Sequence, residues 1–395
     1  MPWKESQKMD QKIEFSLKAI NCLNFRALCR EYGISAKTGY KWKERFLENG
    51  IAGMNDESRR PHSSPAGLDE AVVCEIVRLK QAHPRWGPRK IRALYERKHQ
   101  EGVPAESSFK RVLERTGLTV RRKVRRSTEG GRLSSGLKAE SPNEVWTVDF
   151  KGWWKDREGL RIEPLTVRDE HSRMILEIRA LENSRTETVR ACFERIFELY
   201  GLPRAIRSDN GAPFASSNGL LGLSRLSAWW LALGIGLERS RPSCPQDNGA
   251  HERMHLDVRR ELQADRIGSD QKAFEIWRDE YNSLRPHEAL GMRTPAEVYH
   301  ASATRYNGTP DELDYGNMAA RRVHPRDGTI VYQGVRLMIS GALAGWTVGL
   351  APRTDDKLVD VWFANLLLGQ IDPQTSSFAS AQRGRSKAGK PQPKV

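Results

Sequence analysis

The sequence predicts a multidomain protein with two all-α helix-turn-helix domains, a central α/β domain and a small all-β domain near the C-terminus. Its 395 residues suffice for two to four domains of ~100–200 residues each. Two helix pairs rich in Lys and Arg precede residue 120, and from Asn143 apolar strands alternate with amphipathic helices. From about Met318, apolar and polar residues alternate between Gly-containing turns, which is typical of a β-barrel or β-sandwich.

The composition limits the class of protein. Hydrophobic residues make up 38% of the chain and charged residues 29%, which excludes a fully disordered chain. No apolar run approaches the ~18–20 residues that span a bilayer, and the charged start lacks the apolar stretch of a secretory signal. We therefore expect a cytoplasmic protein without a membrane partner. Its five cysteines are scattered and form no CxxC pair, so we expect reduced thiols and neither disulfides nor a zinc site.

The positive charge is unevenly distributed. The formal net charge is +15, yet residues 139–372 carry four more acidic than basic groups. The basic excess lies before residue 139 and in the tail 373–395, which we predict to be disordered because it is rich in Ser, Gln, Gly, Pro and Lys. A basic N-terminal half predicts a polyanion-binding region, although charge runs alone often mark only a solvated surface.

The first helix-turn-helix domain is predicted over residues 1–57. A helix from about Asp10 to Asn21 is followed by one that Asn24 caps and Gly33 ends, and Ser35 begins a third. The core is predicted to consist of Ala27, Leu28, Ile34 and Trp42. The DNA-binding residues are predicted to be Lys37, Thr38, Lys41 and Lys43. A generic helical hairpin is the alternative.

A second helix-turn-helix domain is predicted over residues 67–120, followed by a basic linker over 121–140. In the domain, the DNA-binding residues are predicted to be Arg85, Arg89, Lys90 and Lys110. In the linker, the run VRRKVRR favours nucleic-acid contact through Arg121, Arg122, Lys123, Arg125 and Arg126.

Three carboxylates stand out in the α/β domain, predicted over residues 141–300. Asp149 lies inside an apolar strand, where an ionised carboxylate is costly without a cation or a partner. Asp209 follows the strand RAIRS, and Glu252 begins a helix after a Gly/Pro-rich loop. An all-oxygen set suits two Mg²⁺ ions, for which Mn²⁺ can substitute. Each acid taken alone is better explained by a helix cap, a turn or a surface ion pair.

The segments around these three carboxylates resemble a known protein family. WTVDF, SDNGAPFAS, SRPSCPQDNGAHERMH and YNSLRPHEALGMRTPAEVY resemble the integrase-type catalytic core of bacterial insertion-sequence transposases, relatives of retroviral integrases. REYGISAKTGYKW and HPRWGPRKIRAL resemble the paired helix-turn-helix regions of that family, and residues 316–372 resemble its small C-terminal β-barrel domain. The resemblance implies an RNase H-like core with Asp149, Asp209 and Glu252 as the catalytic DDE metal ligands.

The resemblance also implies an activity. It implies a protein that binds double-stranded DNA at the terminal inverted repeats of its element, cuts the ends and joins the freed 3′-hydroxyl to target DNA. It also implies a homodimer or higher oligomer that is associated with the nucleoid. Two features depart from retroviral integrases: a longer interval between Asp209 and Glu252, and helix-turn-helix units in place of a His/Cys zinc domain.

Further basic groups are expected near the three acids. His255 and Arg259 follow Glu252 at i+3 and i+7, where a basic group could meet the scissile phosphate. Asp169 is a possible fourth carboxylate, although a turn role fits it better. Two other functions stay open: a DNA-binding regulator with an inactive core, and an RNase H-type nuclease acting on RNA.

Overall fold

Three helices pack around a small aromatic core at the start of the computed structural model, which describes residues 8–56, 67–119, 137–150, 152–155, 159, 161–241, 249–263, 270–310, 312–353 and 357–381. The helices are α1 (Lys8–Ile20), α2 (Phe25–Glu31) and α3 (Ala36–Asn49), followed by a 3₁₀ turn over Gly50–Met54. The predicted caps are confirmed: the Asn24 side chain accepts a hydrogen bond from the Ala27 amide at 3.2 Å, and that of Ser35 from the Thr38 amide at 3.1 Å.

The core of this first unit differs from the prediction at one position. Leu28, Ile34 and Trp42 are buried as expected, but Ala27 is exposed and Cys29 takes the inward position instead. Gly39 lets α3 approach α2 closely, because a Cβ at this position would lie 2.7 Å from the Cys29 sulfur. Contacts divide the chain into two compact units, residues 1–69 and 70–395, and the first contains these three helices.

The second unit begins with another three-helix arrangement. Its helices are α4 (Glu70–Ala82), α5 (Pro88–Lys98) and α6 (Glu106–Arg115). Pro88 stands at the first helical position of α5, where its missing N–H costs nothing. Ile76, Ile91, Phe109 and Leu113 are buried between the helices. The linker residues 121–136 lie outside the described residues.

A mixed six-stranded sheet forms the centre of the unit. Its strands are β1 (Val145–Phe150), β2 (Trp154–Lys155), β3 (Arg161–Asp169), β4 (Ile175–Leu181), β5 (Ala205–Ser208) and β6 (Gly236–Arg239). The order is β2-β3-β1-β5-β6, with β4 paired to β3. Strands β1, β3 and β4 pair antiparallel, whereas β5 and β6 continue the sheet in parallel from β1, which confirms the predicted α/β organisation.

Helices cover both faces of this sheet. They are α7 (Thr186–Tyr200), α8 (Arg225–Ala232), α9 (Gly249–Val258), which continues as a π turn over Arg259–Gln263, and α10 (Gln271–Ser283). Phe193 of α7 and Trp230 of α8 pack with Trp146 in one hydrophobic cluster. Met254 of α9 and Trp277 of α10 pack in a second cluster with Ile175 and Ile178 of β4. The sheet is therefore covered by α7 and α8 on one face and by α9 and α10 on the other.

The C-terminal strands form an all-β region. They are β7 (Ala319–Arg322), β8 (Thr329–Tyr332), β9 (Val335–Met338), β10 (Thr347–Pro352), β11 (Val359–Phe363), β12 (Leu366–Asp372) and β13 (Ser377–Ser380). The predicted closed barrel is not confirmed: among the described residues the strands pair as an open sheet of order β13-β12-β11-β10-β7 and a separate β8-β9 hairpin. The alternating pattern predicts inward side chains but not which edges pair, which is why closure could not be read from it.

Two further corrections concern the ends of this region. Residues 377–380, inside the tail predicted to be disordered, form β13 and pair with β12. The Ser-rich composition of this segment concealed the strand, because backbone hydrogen bonds to β12 need no apolar side chains. The remaining predicted tail, 382–395, lies outside the described residues. Within the ranges that the structure describes, no helix has both the length and the apolar character needed to cross a bilayer.

The β-rich region is not independent of the central domain. Leu350, Val361 and Phe363 share one hydrophobic cluster with Ala228 and Ala232 of α8. The side of α8 that faces away from the central sheet is thus buried by the C-terminal strands.

Candidate active site

Two of the three predicted carboxylates lie on neighbouring strands. Strands β1 and β5 are parallel, with Thr147 opposite Arg207. Continued by two residues, this register sets Asp149 beside Asp209 at the carboxyl ends of the two strands, which are ~4.8 Å apart in a sheet. This edge is where α/β domains collect ligand-binding groups. The side chain of Asp149 is 27% exposed, and Asp209 is exposed.

The turn after β5 holds the Asp209 carboxylate in place. Its Oδ1 accepts a hydrogen bond from the Gly211 amide at 3.1 Å. A Cβ at position 211 would lie 2.9 Å from Asp209 Oδ2, so only glycine leaves this carboxylate unobstructed. Asn210 donates its side-chain N–H to the Ser240 carbonyl at 2.9 Å and ties the turn to the end of β6. The turn is therefore built around an exposed carboxylate.

Glu252 lies on helix α9, which packs beside Asp149 through His255. Glu252 is exposed in the first turn of the helix, and the segment 242–248 before the helix lies outside the described residues. Across the described ranges no cluster of three His, Cys, Asp or Glu side chains has the spacing to hold a metal ion. The structure thus brings Asp149 and Asp209 to one sheet edge and Glu252 to the adjacent helix, without assembling the three into one ligand group.

A hydrogen-bonded network that sequence reasoning missed docks α9 beside Asp149. The Thr166 hydroxyl lies 2.6 Å from Nε2 of His251 and 2.7 Å from Nε2 of His255, and it donates to the Asp149 carbonyl at 3.0 Å. Nδ1 of His251 lies 2.8 Å from the Thr147 hydroxyl. Because Thr166 has one proton, which goes to the carbonyl, both imidazoles donate to its lone pairs.

The environment keeps His251 uncharged. It is fully buried, and this burial, followed by the nearby His255 and Arg168, holds the pKa of His251 well below its ordinary value. Nδ1 of His255 lies 3.7 Å from Oδ2 of Asp149. One neutral and one carboxylate-facing imidazole therefore anchor the helix that carries Glu252.

The spacing of these histidines is a signal that was available in the sequence. His251, Glu252 and His255 form an H-E-x-x-H pattern, which on a helix puts both imidazoles on one face and is typical of zinc metalloproteases. Here both Nε2 atoms converge on the Thr166 hydroxyl, which stands where such a protein would hold its metal. The pattern therefore serves helix docking in this chain.

Of the two basic groups predicted after Glu252, only one is accessible. His255 is buried against Thr166 and Asp149, so it is not an exposed phosphate-binding group as predicted. The reason is that α9 packs on the sheet through this side. Arg259 is exposed at the start of the π turn.

The predicted DNA-binding residues of the first unit lie on α3. Lys37 and Lys41 are exposed, whereas Thr38 bonds to the capping Ser35 hydroxyl at 2.9 Å. Lys43 is half-buried and donates to the Ile20 carbonyl at 3.5 Å. The outward basic face is thus narrower than predicted.

Of the predicted DNA-binding residues in the second helix-turn-helix domain, some are exposed to solvent and others contact neighbouring side chains or are partly buried. Arg85 and Lys110 are exposed. Arg89 forms ion pairs with Glu106 at 2.8 Å and Glu288 at 3.4 Å. Lys90 is half-buried. The predicted linker contacts Arg121, Arg122, Lys123, Arg125 and Arg126 lie outside the described residues.

Family comparisons match most of the chain in pieces. A helix-turn-helix domain matches residues 11–62, and a homeodomain-like domain matches 38–113. Integrase core domain models match residues 139–245 and 233–295. The latter two matches cover the sheet and helices that carry Asp149, Asp209 and Glu252.

Among curated proteins, the chain is similar to products of bacterial insertion elements. It is 27% identical over 268 residues to the insertion element IS407 uncharacterized 31.7 kDa protein of Burkholderia multivorans, covering 66% of this chain and 91% of that protein. It is 26% identical over 251 residues to the insertion element IS476 uncharacterized 39.2 kDa protein of Xanthomonas euvesicatoria, covering 62% and 70%.

Solved structures that are similar to the chain include retroviral integrases. The HTLV-2 integrase catalytic core domain in complex with magnesium is 16% identical with a TM-score of 0.33, covering 41% of this chain and all of that one. The BIV integrase catalytic core is 23% identical with a TM-score of 0.32, covering 40% and 93%. A simian T-cell lymphotropic virus intasome in complex with PP2A regulatory subunit B56 gamma is 14% identical with a TM-score of 0.37, covering 71% and 99%.

Proposed function

Because the chain belongs to the bacterial insertion-sequence transposases of the retroviral integrase superfamily, we propose that it binds the terminal inverted repeats of its own element, cuts the DNA ends and joins the 3′-hydroxyl to target DNA. The observation that carries this proposal is the parallel register of β1 and β5, which sets Asp149 beside Asp209. Two carboxylates at the carboxyl ends of neighbouring strands, one partly buried and one exposed, provide the oxygen-rich site that phosphoryl transfer requires.

The donor chemistry fits a divalent metal. Asp149, Asp209 and Glu252 are all carboxylates, the ligands that Mg²⁺ prefers, and Mn²⁺ suits the same set. When bound, two such ions would supply activation of the attacking water or 3′-hydroxyl and neutralise charge on the leaving oxygen. Closing the group requires the exposed Glu252 side chain to approach the sheet edge from α9, the helix that is anchored beside Asp149.

The protein's own residues have separate tasks in this proposal. The turn at Gly211 keeps the Asp209 carboxylate clear of other atoms. Thr166 and the two histidines fix α9, and hence Glu252, relative to β1. Arg259 is exposed at the start of the π turn that follows α9 and can pair with a DNA phosphate. The three carboxylates are the catalytic residues.

The helix-turn-helix units supply recognition of DNA. Lys37 and Lys41 of α3 and Arg85 and Lys110 of the second domain are exposed and able to contact phosphates or groove edges. Bringing two element ends together requires at least two copies of the chain, so we propose a homodimer or higher oligomer. We propose that the linker arginines contact DNA phosphates as well.

The test is the substitution Asp149→Asn in the full-length protein. With Mg²⁺ and a duplex carrying the element's terminal repeat, the variant should lose end cutting and strand transfer while binding the repeat as wild type does. Glu182→Gln, which removes an exposed carboxylate just after β4, is the matched control and should stay active. Retained strand transfer by D149N would refute the assignment of the site.

The same assay separates the two other functions. A wild-type protein that binds the repeat and never nicks it is a regulator with an inactive core. Cleavage of RNA–DNA hybrids in preference to duplex DNA indicates an RNase H-type nuclease.

A further inference from the structure

A large cleft lies between the second helix-turn-helix domain and the helix that carries Glu252. Its volume is about 1010 Å³. One wall consists of the start of α5 and the outer side of α6, including Lys90 and Lys110. The other wall consists of α9 and its π turn, including Arg253 and Arg260. The cleft thus joins a DNA-binding unit to the catalytic domain.

The lining is positively charged, although the central domain as a whole is not. Eight basic and five acidic side chains line the cleft. The acids are largely occupied: Arg89 pairs with Glu106 and Glu288, and Arg285 pairs with Glu261. The excess positive charge therefore faces the open space of the cleft.

Three of the basic groups form no direct ion pair in the part of the chain that the structure describes, although the carboxylates of Asp257 and Glu261 act on Lys90 from a longer distance. Lys90, Lys110 and Arg260 make neither an ion pair nor a side-chain hydrogen bond there. Lys90 is the most constrained, because it is half-buried beside the Trp86 ring, with its Nζ 6.0 Å from the ring centre. Burial first, and then the neighbouring Arg285, lower the pKa of Lys90 to about 8. An anion entering the cleft would stabilise the charged form of this lysine.

The shape of the cleft selects the kind of anion. Its volume is at the upper end of the ~300–1,000 Å³ of pockets for small molecules. The two backbones of a duplex are separated by a major groove ~12 Å wide and ~8.5 Å deep, so a cleft of about 1010 Å³ can take up a short stretch of one backbone and not both. Every nucleotide of the strand carries a phosphate, so one strand can meet cations on both walls.

We propose that this cleft binds the backbone of one DNA strand, so that a single strand contacts the second helix-turn-helix domain and helix α9 together. The inference rests on the proposed function, since it assigns the strand to the DNA that the transposase binds. Arg253 lies about 100° around α9 from Glu252, and none of the three carboxylates Asp149, Asp209 and Glu252 lines the cleft, so the cleft is distinct from the carboxylate site. It orients DNA relative to that site and performs no chemistry.

The test measures how binding depends on salt. The full-length protein is titrated against a labelled duplex bearing the terminal repeat and against an unrelated duplex of equal length, from 50 to 300 mM NaCl. Removing one phosphate contact should weaken binding and reduce the slope of log Kd against log salt by about one. We expect this for Lys90→Gln, Lys110→Gln and Arg260→Gln, and a reduction of about two for the K90Q/R260Q pair.

Arg260→Gln is the decisive variant, because it lies outside both helix-turn-helix units and is not buried. Lys272→Gln, an exposed charge removal on α10 away from the cleft, is the matched control and should keep the wild-type slope. If K110Q changes the slope and R260Q does not, DNA contacts only the helix-turn-helix wall and the proposal is wrong. If the wild-type protein binds both duplexes equally well, the proposed function is refuted. The cleft can still be tested in that case, by comparing the salt slopes of wild type and variants on the unrelated duplex.

Discussion

The hydroxyl of Thr166 lies 2.6 Å from Nε2 of His251 and links the central sheet to the helix of Glu252. The same hydroxyl meets His255 and the carbonyl of Asp149. A single buried oxygen thus connects two elements that carry proposed catalytic carboxylates. The position of Glu252 depends on this contact, although Thr166 has no part in the chemistry.

Replacing Thr166 with Val should therefore destabilise the protein and slow strand transfer. Valine keeps the shape but leaves two buried imidazole N–H groups without acceptors, at about 2–4 kcal/mol in total. Thr166→Ser retains the hydroxyl and serves as the matched control. Urea denaturation gives the stability, and single-turnover strand transfer gives the rate. Equal behaviour of T166V and T166S would show that the hydroxyl does not hold α9.

Replacing Asp169 should destabilise the protein, whereas replacing Asp149 should leave its stability nearly unchanged. Asp169 is fully buried and accepts hydrogen bonds from the Asn143 amide at 2.7 Å and from the Ser172 amide and hydroxyl at 2.7 and 2.6 Å. Asp169→Ala should cost about 2–4 kcal/mol of unfolding free energy, because these donors lose their acceptor. D149N should unfold within about 0.5 kcal/mol of wild type. A stable D169A protein would contradict the structural role of this turn.

His287 should make the protein less stable in mild acid. Burial, followed by the charges of Lys90 and Arg285, lowers the pKa of His287 to about 3. The unfolded chain binds a proton near pH 6.5 and the folded chain does not, so its contribution is present above pH 6.5 and lost as the pH falls toward 3. The slope from this group is at most ~1.4 kcal/mol per pH unit.

The measurement compares the denaturation midpoints of wild type and His287→Phe between pH 6.5 and 5. Most carboxylates titrate below this pH range. Phenylalanine keeps the aromatic contact with Tyr281, whose ring centre lies 4.7 Å from that of His287. Denaturation midpoints of the variant should fall less steeply with acidification. Parallel curves would mean that His287 titrates normally in the folded protein.

The ion pair between Arg97 and Glu297 should contribute little to stability. Arg97 on α5 contacts Glu297 at 2.9 Å and joins the second helix-turn-helix to the central domain, but both side chains are substantially exposed. Such pairs contribute ~0.2–1 kcal/mol. A double-mutant cycle with Arg97→Gln and Glu297→Gln should give a coupling energy in this range. A value above 2 kcal/mol would mark the pair as a principal link between the domains.

The sheet could be predicted because its strands are unusually apolar. Val145, Trp146 and Val148 are completely buried in β1, and such runs have few alternatives to a central strand. Helix α10 went unpredicted, although Phe274, Trp277 and Tyr281 have helical spacing and are buried. Strand β7 could not be found, because Ala-Ala-Arg-Arg is exposed throughout and held only by pairing with β10.

The candidate site was predictable only in part, for a physical reason. Asp149 and Asp209 follow apolar strands, and strand ends can be located from sequence. The contacts of Thr166 depend on the antiparallel register of β1 and β3, in which Asp149 stands opposite Thr166. The register between distant strands is set by tertiary packing. The cleft also depends on tertiary packing, because its two walls are some 150 residues apart in the sequence.

The cluster that α8 shares with the C-terminal strands has a consequence for how the protein is made. Ala228 and Ala232 leave the ribosome well before Leu368 and Ile371, with which they share a cluster. At ~5–20 residues per second, the roughly 140 residues between them take about 7–28 s to synthesise, and during this time that side of α8 is not covered by the C-terminal strands. Nascent chains therefore expose an apolar surface during translation, and cells short of chaperones should accumulate aggregated, incomplete copies.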